Sequence, residues 1–312
     1  MKSSPGVLAT KPPVEKRGRR ISDKVFPYLL IAPTAILILL VMVYPIFRVF
    51  YLSFQNYDLT NPFMDGFAGI SNFVKLFTDD PLFFSSIGIT FKWVLLQVVF
   101  QLLLGLIVAL ILNAKFRGRG VVRAISLVPW AVSGVLITML WSLMYDQNSG
   151  LFNDLLIRMG ILKGHIAWLA DNRTFFAAII VAELWRGIPF FAITLLASLQ
   201  SIPEDIYESS AIDGCGAVRN LIYITLPFLK ESIIFATLLR AIWEFNSIDM
   251  IFTMTNGGPM DQTTTLPIYM MKTAIIQGNY GYGSAIGVVS FLFLMLFAAL
   301  YIKISGYGGE DA

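Results

Sequence analysis

The chain carries a single cysteine, Cys215, and a single histidine, His165. One thiol cannot close an internal disulfide. One thiol with one imidazole also excludes metal sites built from histidine and cysteine clusters. No metal ligand set and no catalytic residue is expected. Charge is scarce as well. Asp, Glu, Lys and Arg make up 14% of the residues, where a soluble domain has about a quarter. There is no G-x-x-x-x-G-K-[ST] phosphate loop, so the chain itself should bind no ATP and no other cofactor. No stretch alternates apolar and polar residues over about ten positions, which argues against a membrane β-barrel. The first apolar run is long and no A-x-A-type cleavage site follows it, so it reads as a span and not as a signal peptide. Neither an internal repeat of recognisable period nor an inverted-repeat pattern is evident.

What the sequence has in abundance is apolar surface, at 56% of residues. Uncharged apolar runs longer than about 18 residues read as membrane spans. Four such runs occur, at 25–47, 93–114, 124–145 and 285–302. Two more, 174–199 and 226–252, are interrupted by charge. The expectation is an all-α membrane protein with six transmembrane helices.

Lysine and arginine accumulate on the cytoplasmic side of a bilayer. Lys2, Lys11, Lys16, Arg17, Arg19, Arg20 and Lys24 precede the first run, and Lys115, Arg117, Arg119 and Arg123 separate the second from the third. The loop between the first two runs instead holds Asp58, Asp65, Asp79 and Asp80 against Lys75. Both termini are therefore expected in the cytoplasm, with a poorly ordered basic tail at 1–25, a six-helix domain at 26–306 and a short tail at 307–312. Topology accounts for the basic tail, and no nucleic-acid partner is expected.

Between the fourth and fifth runs the chain reads SIPEDIYESSAIDGCGAVRNLIYITLP, residues 201–227. Ser201 and Glu204 have capping-box spacing, and Pro203 suits a first turn. Ile202, Ile206, Tyr207 and Ala211 recur at helical spacing and predict one apolar face. Gly214 and Gly216 are natural terminators. A second helix is predicted from about Ala217, with Thr225 and Pro227 at the entry to the fifth span. On these signals alone the segment is either a helical connection or a docking surface.

The spacing within it resembles the EAA motif of the permease subunits of bacterial ABC importers. Glu208, Ser209 and Ser210 open the motif, Gly214 follows, and Ile224, Leu226 and Pro227 close it. IPEDIYESSAIDG, and TNGGPMDQTTTLPIYMMKTAI at 255–275, are similar to the carbohydrate branch, the maltose- and glycerol-phosphate-type permeases. The resemblance covers about residues 85–305. Ser209, Ser210 and Cys215 stand where alanine is usual. All three remain small.

The resemblance implies a type I importer (MetI-like) fold in a multi-pass protein of the bacterial cytoplasmic (inner) membrane. It implies ATPase coupling through Glu208, Ser209, Ser210, Ala211, Asp213, Gly214, Cys215 and Pro227. It implies as partners a second permease subunit, two ATP-binding subunits that use ATP and Mg, an extracytoplasmic solute-binding protein and a small-molecule sugar. Charges inside spans are functional candidates by default. The fourth run holds Glu183 and Arg186, and the fifth holds Arg240, Glu244 and Asp249. Trp243, Glu244, Asn246 and Asp249 are the expected solute contacts, because a sugar needs hydrogen-bonding groups and aromatic faces. Glu183 with Arg186 also reads as a structural pair. A self-contained secondary transporter using these carboxylates, and a scaffold without a path, remain the alternatives.

Overall fold

A computed structural model describes residues 25–306. The tail expected at 1–25 lies, but for Val25, outside the described residues, as does the one at 307–312. The chain divides into two compact units, Met1–Arg48 and Val49–Ala312.

The first unit holds helix α1 (Phe26–Ile38), a π turn (Leu39–Val43) and the start of α2 (Tyr44–Ser53). Pro45 has no N–H to give to a carbonyl one turn back. Just upstream the ladder widens, with the Tyr44 N–H on the Leu39 carbonyl.

In the second unit, two short strands, Gln55–Asn56 and Gly66–Phe67, pair antiparallel ahead of α3 (Ser71–Thr78). Helix α4 (Pro81–Asn113) then runs for 33 residues, about 50 Å at 1.5 Å per residue. It starts well before the apolar run that marks it in sequence. The reason is Asp80, whose side chain accepts from the Phe83 N–H at 3.1 Å and caps the helix, with Pro81 in the first turn. The charge that shortens the run, Lys92, lies over the Phe176 ring at 4.3 Å.

The expected third span is not one helix. Helices α5 (Arg119–Ala131) and α6 (Gly134–Met144) meet at a bend of 93°. Pro129 weakens the ladder, and Val132 and Ser133 are extended, with ψ of 143° and 135°. The short helix α7 (Leu151–Arg158) leads to α8 (Phe175–Leu199), which is the expected fourth span. The fifth span is interrupted too. Helix α11 (Leu226–Phe245) stops, residues 246–248 break the ladder, and α12 (Asp249–Thr255) resumes. Asn246 turns its side chain back onto the Ile242 carbonyl at 2.8 Å, which ends α11. Helices α13 (Leu266–Met271) and α14 (Tyr280–Ser305) complete the unit. Among the described residues, five helices are long and apolar enough to cross a membrane, or six if α5 and α6 count as one span.

One part of the core forms where α4, α8 and α11 pack together, and others where α6 and α12 meet α4 and α8 and where α3, α13 and α14 meet α4. Glycine sets the approach of α4 to α8. A Cβ on Gly105 would stand 2.5 Å from the Phe191 Cβ, and one on Gly187 would stand 2.3 Å from Gln101 Cδ. Small residues at such crossings let helix backbones come close inside a bilayer.

Candidate functional site

Glutamines inside an apolar helix demand partners. Gln97 and Gln101 are fully buried on one face of α4, and Gln101 Nε2 donates to Gln97 Oε1 at 3.0 Å. Opposite them stand Glu183 of α8 and Arg240 and Glu244 of α11, all buried. Arg240 Nε donates to Gln101 Oε1 at 2.6 Å, and its Nη2 lies 3.0 Å from Glu183 Oε1 and 2.6 Å from Glu244 Oε1. Glu244 also accepts from Gln101 Nε2 at 3.0 Å and from Trp93 Nε1 at 3.1 Å. Arg186, one turn below Glu183, donates Nη1 to Glu183 Oε2 at 3.2 Å. The network joins three helices, and its ionised groups meet opposite charges.

This network forms the floor of a polar cavity of about 370 Å³. Trp130 of α5 lines it, as do Trp243, Asn246, Ser247 and Asp249 around the break in α11. Gly134, the first residue of α6, stands beside two of the lining residues. A Cβ there would come within 3.3 Å of Asp249 Oδ2 and 3.4 Å of the Arg186 guanidinium. Two interrupted helices thus meet at one cavity, where unwound backbone is tolerated because it lines a polar space.

The four residues expected to contact solute all line this cavity, on two levels. Trp243, Asn246 and Asp249 are exposed to it. Glu244 is 1% exposed and turned into the network beneath. The sequence reading did not single out Trp130, Gln97 or Gln101 as site residues. The two glutamines had a signal, since amides four residues apart inside a span are costly unless paired. Trp130 had none beyond its place after a proline.

On the other side of the bundle lies the 201–227 segment. Helix α9 (Glu204–Ile212), a turn and helix α10 (Ala217–Asn220) follow the expected order. Gly214 has φ of +73°. Its N–H meets the Ala211 carbonyl at 3.1 Å, and the Cys215 N–H meets the Ser210 carbonyl at 2.9 Å. These two bonds make a Schellman turn. The capping box does not form. Pro203 occupies the N-cap position, so Glu204 is the first helical residue and cannot reach back. Ser201 Oγ donates to the Ser198 carbonyl at 2.7 Å, and Glu204 pairs sideways with Lys115 at 2.9 Å. The hydrogen bond from Lys115 holds the Glu204 carboxyl below the usual range.

The apolar face is also shifted. Ile202, Ile206 and Tyr207 pack on the bundle, but Ala211 is exposed and Ser210 takes the inward place. The reason is the helix start at Glu204, which aims Ser210 at the Tyr207 carbonyl, 2.8 Å away. Glu208, Ser209, Asp213 and Gly214 face outward, and Cys215 is partly covered. Ile212 is 88% exposed and Val218 70%. Pro227 sits in the first turn of α11, after a π turn at Leu221–Thr225. Tyr207 Oη meets Thr225 Oγ1 at 3.0 Å, and Ser198 Oγ meets Ser232 Oγ at 2.5 Å. The first bond ties α9 to the π turn that leads into α11, the second ties α8 to α11, and Ile206 and Tyr207 pack on both of these helices, which carry the buried charges.

Comparison with known proteins converges on one family. The family model described as binding-protein-dependent transport system inner membrane component matches residues 101–305. The trehalose/maltose transport system permease protein of Thermococcus litoralis is 35% identical over 280 residues, covering 90% of this chain and 93% of that one. The sulfoquinovosyl glycerol transport system permease protein of Agrobacterium fabrum is 36% identical over 284 residues, covering 91% of each. Among solved structures, the fold is similar to a chain of the bacterial alginate ABC transporter in complex with alginate pentasaccharide-bound periplasmic protein. That likeness has a TM-score of 0.79 at 21% identity and covers 93% of this chain and 97% of the other.

Proposed function

We infer the function from one premise: the chain belongs to the family of binding-protein-dependent transport system inner membrane components. It is a multi-pass inner-membrane permease with the fold of ABC importer permeases. The reading beyond that is a subunit that passes a neutral sugar by alternating access. A separate ATPase, docked on the outward face of the 201–227 segment, drives it. A solute-binding protein delivers the sugar, and a second permease subunit supplies the rest of the path.

The observation that carries this reading is the mechanical continuity of α8 and α11. One end of the pair bears the polar cavity, and the other packs against Ile206 and Tyr207 of α9, which is bonded in turn to the π turn leading into α11. From Arg240 to Leu226 the helix covers about 21 Å. A rigid shift of α9 against its partner would reach the cavity through packed helices. The outward surface offers what a docking groove needs: an exposed isoleucine, small residues and the carboxylate of Glu208.

Solute class follows from charge. A phosphate would need a free cation such as Arg240, but Glu183 and Glu244 both engage it. The lining holds three carboxylates, Glu183, Glu244 and Asp249, against two guanidiniums. An anion would find neither guanidinium free of a carboxyl partner. A neutral sugar would meet two indole faces, Trp130 and Trp243, with Asn246 and Asp249 as hydrogen-bonding groups. The relative named for trehalose and maltose agrees with that class, whereas the other is named for sulfoquinovosyl glycerol, which carries a sulfonate.

The test is gentle solubilisation of the chain with its native partners, identification of the bound subunits, and ATPase assays against a panel of sugar-loaded binding proteins. Stimulation by a neutral-sugar complex is the expected result. Solute uptake by the chain alone, driven by an ion gradient, would replace this reading with the secondary-transporter one.

A further inference from the structure

The loop from α4 to α5 holds Lys115, Arg117 and Arg119, which with Phe116 line a shallow depression of about 440 Å³. Among the described residues, Lys115 has one ion-pair partner, Glu204. The fourth base of the loop, Arg123, is used differently. Its Nη2 donates to the Leu112 carbonyl at 2.9 Å and so closes the end of α4. Helix stability does not explain the other three. Arg119 is the first residue of α5, whose first turn carries no acid. That is the end of a helix where a cation is unfavourable.

Beyond the bases, α5 presents an apolar stripe at helical spacing. Val121 is 65% exposed, Ile125 64% and Val128 50%. A cationic depression at the start of a helix that carries an exposed apolar stripe matches a molecule that is anionic at one end and hydrocarbon along its length. We propose that the 115–119 loop and the stripe of α5 form a binding site for an anionic phospholipid. The basic depression takes the headgroup phosphate, and Val121, Ile125 and Val128 lie along an acyl chain.

The site touches the coupling segment through one contact. The Lys115–Glu204 bridge is 2.9 Å long and solvent-exposed on both sides, with side-chain exposures of 79% and 71%. Such a bridge is weak and easily exchanged. A phosphate in the depression competes with Glu204 for Lys115 and frees the first turn of α9. This consequence rests on reading α9 as the docking element. The lipid site itself does not.

The experiment is native mass spectrometry of the full-length chain, released from detergent containing phosphatidylglycerol or phosphatidylcholine with identical acyl chains. The wild-type chain is expected to retain the glycerol lipid about tenfold more than the choline lipid. Arg117→Gln with Arg119→Gln should bring the ratio to within about twofold of parity. Glu204→Gln, which releases Lys115, should raise it. Unchanged melting temperatures in phosphatidylcholine nanodiscs show that the variants, all at exposed positions, are folded. Equal retention of the two lipids by the wild type, or an undiminished preference in the double variant, overturns the site. Competition is tested separately, as ATPase stimulation of the assembled complex in nanodiscs of each lipid. A lipid preference of the isolated chain without any ATPase dependence removes the link to α9 but leaves the site. Failure of any ATPase to co-purify counts against the proposed function alone.

Discussion

Arg240 stands between Glu183 and Glu244. One nitrogen of its guanidinium reaches both carboxylates, at 3.0 Å and 2.6 Å, and joins α8 to α11 in the middle of the bundle. Replacing it with leucine would leave two buried carboxylates without their shared cation. Removing one partner of a buried ion pair costs about 3–5 kcal/mol. Arg240→Leu is therefore expected to lower the melting temperature in nanodiscs sharply, and Arg240→Lys less so. A leucine variant as stable as the wild type would show that the network does not hold the helices.

The cavity above the network makes a different prediction. Trp243→Ala, Trp130→Ala and Asp249→Asn alter its exposed wall while sparing the Arg240 bridges. Each is expected to reduce sugar-stimulated ATPase activity about tenfold or more, as loss of roughly 1.4 kcal/mol of solute interaction would. Melting temperature should stay near wild type. Full stimulation in all three variants would place the solute elsewhere.

Gly214 holds φ of +73° in the turn after α9, with open space where a Cβ would stand. A side chain there meets no clash but strains the backbone by roughly 1–2 kcal/mol. Gly214→Glu is expected to leave the bundle folded and to uncouple transport or release the ATPase. Co-purification followed by uptake assays checks this, and normal uptake with the ATPase still bound would refute it.

Where α4 crosses α8, space itself is the constraint. Gly105→Leu must push against the Phe191 Cβ and the Ala192 and Ile188 backbone. Overpacking of this kind costs about 1–3 kcal/mol, with more for backbone contacts. Denaturation in detergent should show the loss, and a neutral outcome would mean that the helices separate freely.

Acid should loosen the start of α9. The hydrogen bond from Lys115 holds the Glu204 carboxyl below the ordinary glutamate range. A depressed carboxyl contributes stability that is present above the unfolded value and lost as pH falls through the folded one. The hydrogen-exchange protection factor of the first turn of α9 is therefore expected to be flat above about pH 5 and to fall below the ordinary glutamate range. Glu204→Gln should abolish the dependence. Its persistence in that variant would assign the effect to another group.

Much of the fold was legible because a bilayer penalises unpaired polar groups so heavily that spans announce themselves as long apolar runs. Five of the six expected runs correspond to long apolar helices of about the right extent, including α8 with its buried Glu183. Two spans are interrupted where the sequence shows one continuous run, and for one reason. The third run is continuous in apolarity yet bends by 93°, and the fifth breaks at 246–248. Hydropathy reports whether side chains favour lipid and says nothing of where the backbone ladder is interrupted. Pro129 was a hint, but Pro189 sits inside α8 without breaking it, so proline alone does not decide.

By itself, the sequence determined the helical membrane architecture, the chemistry of the 201–227 segment and the identity of most charged residues in the spans. Those follow from composition and local spacing. Tertiary structure decided which of them face solute space and which are locked away. Glu244 and Trp243 are chain neighbours, yet one lies in the network and the other on the cavity wall. That division depends on Gln97, Gln101 and Trp93 of α4, more than 140 positions away in the chain. A helix face becomes floor or wall only when its partner helices arrive, and local spacing does not encode that arrival.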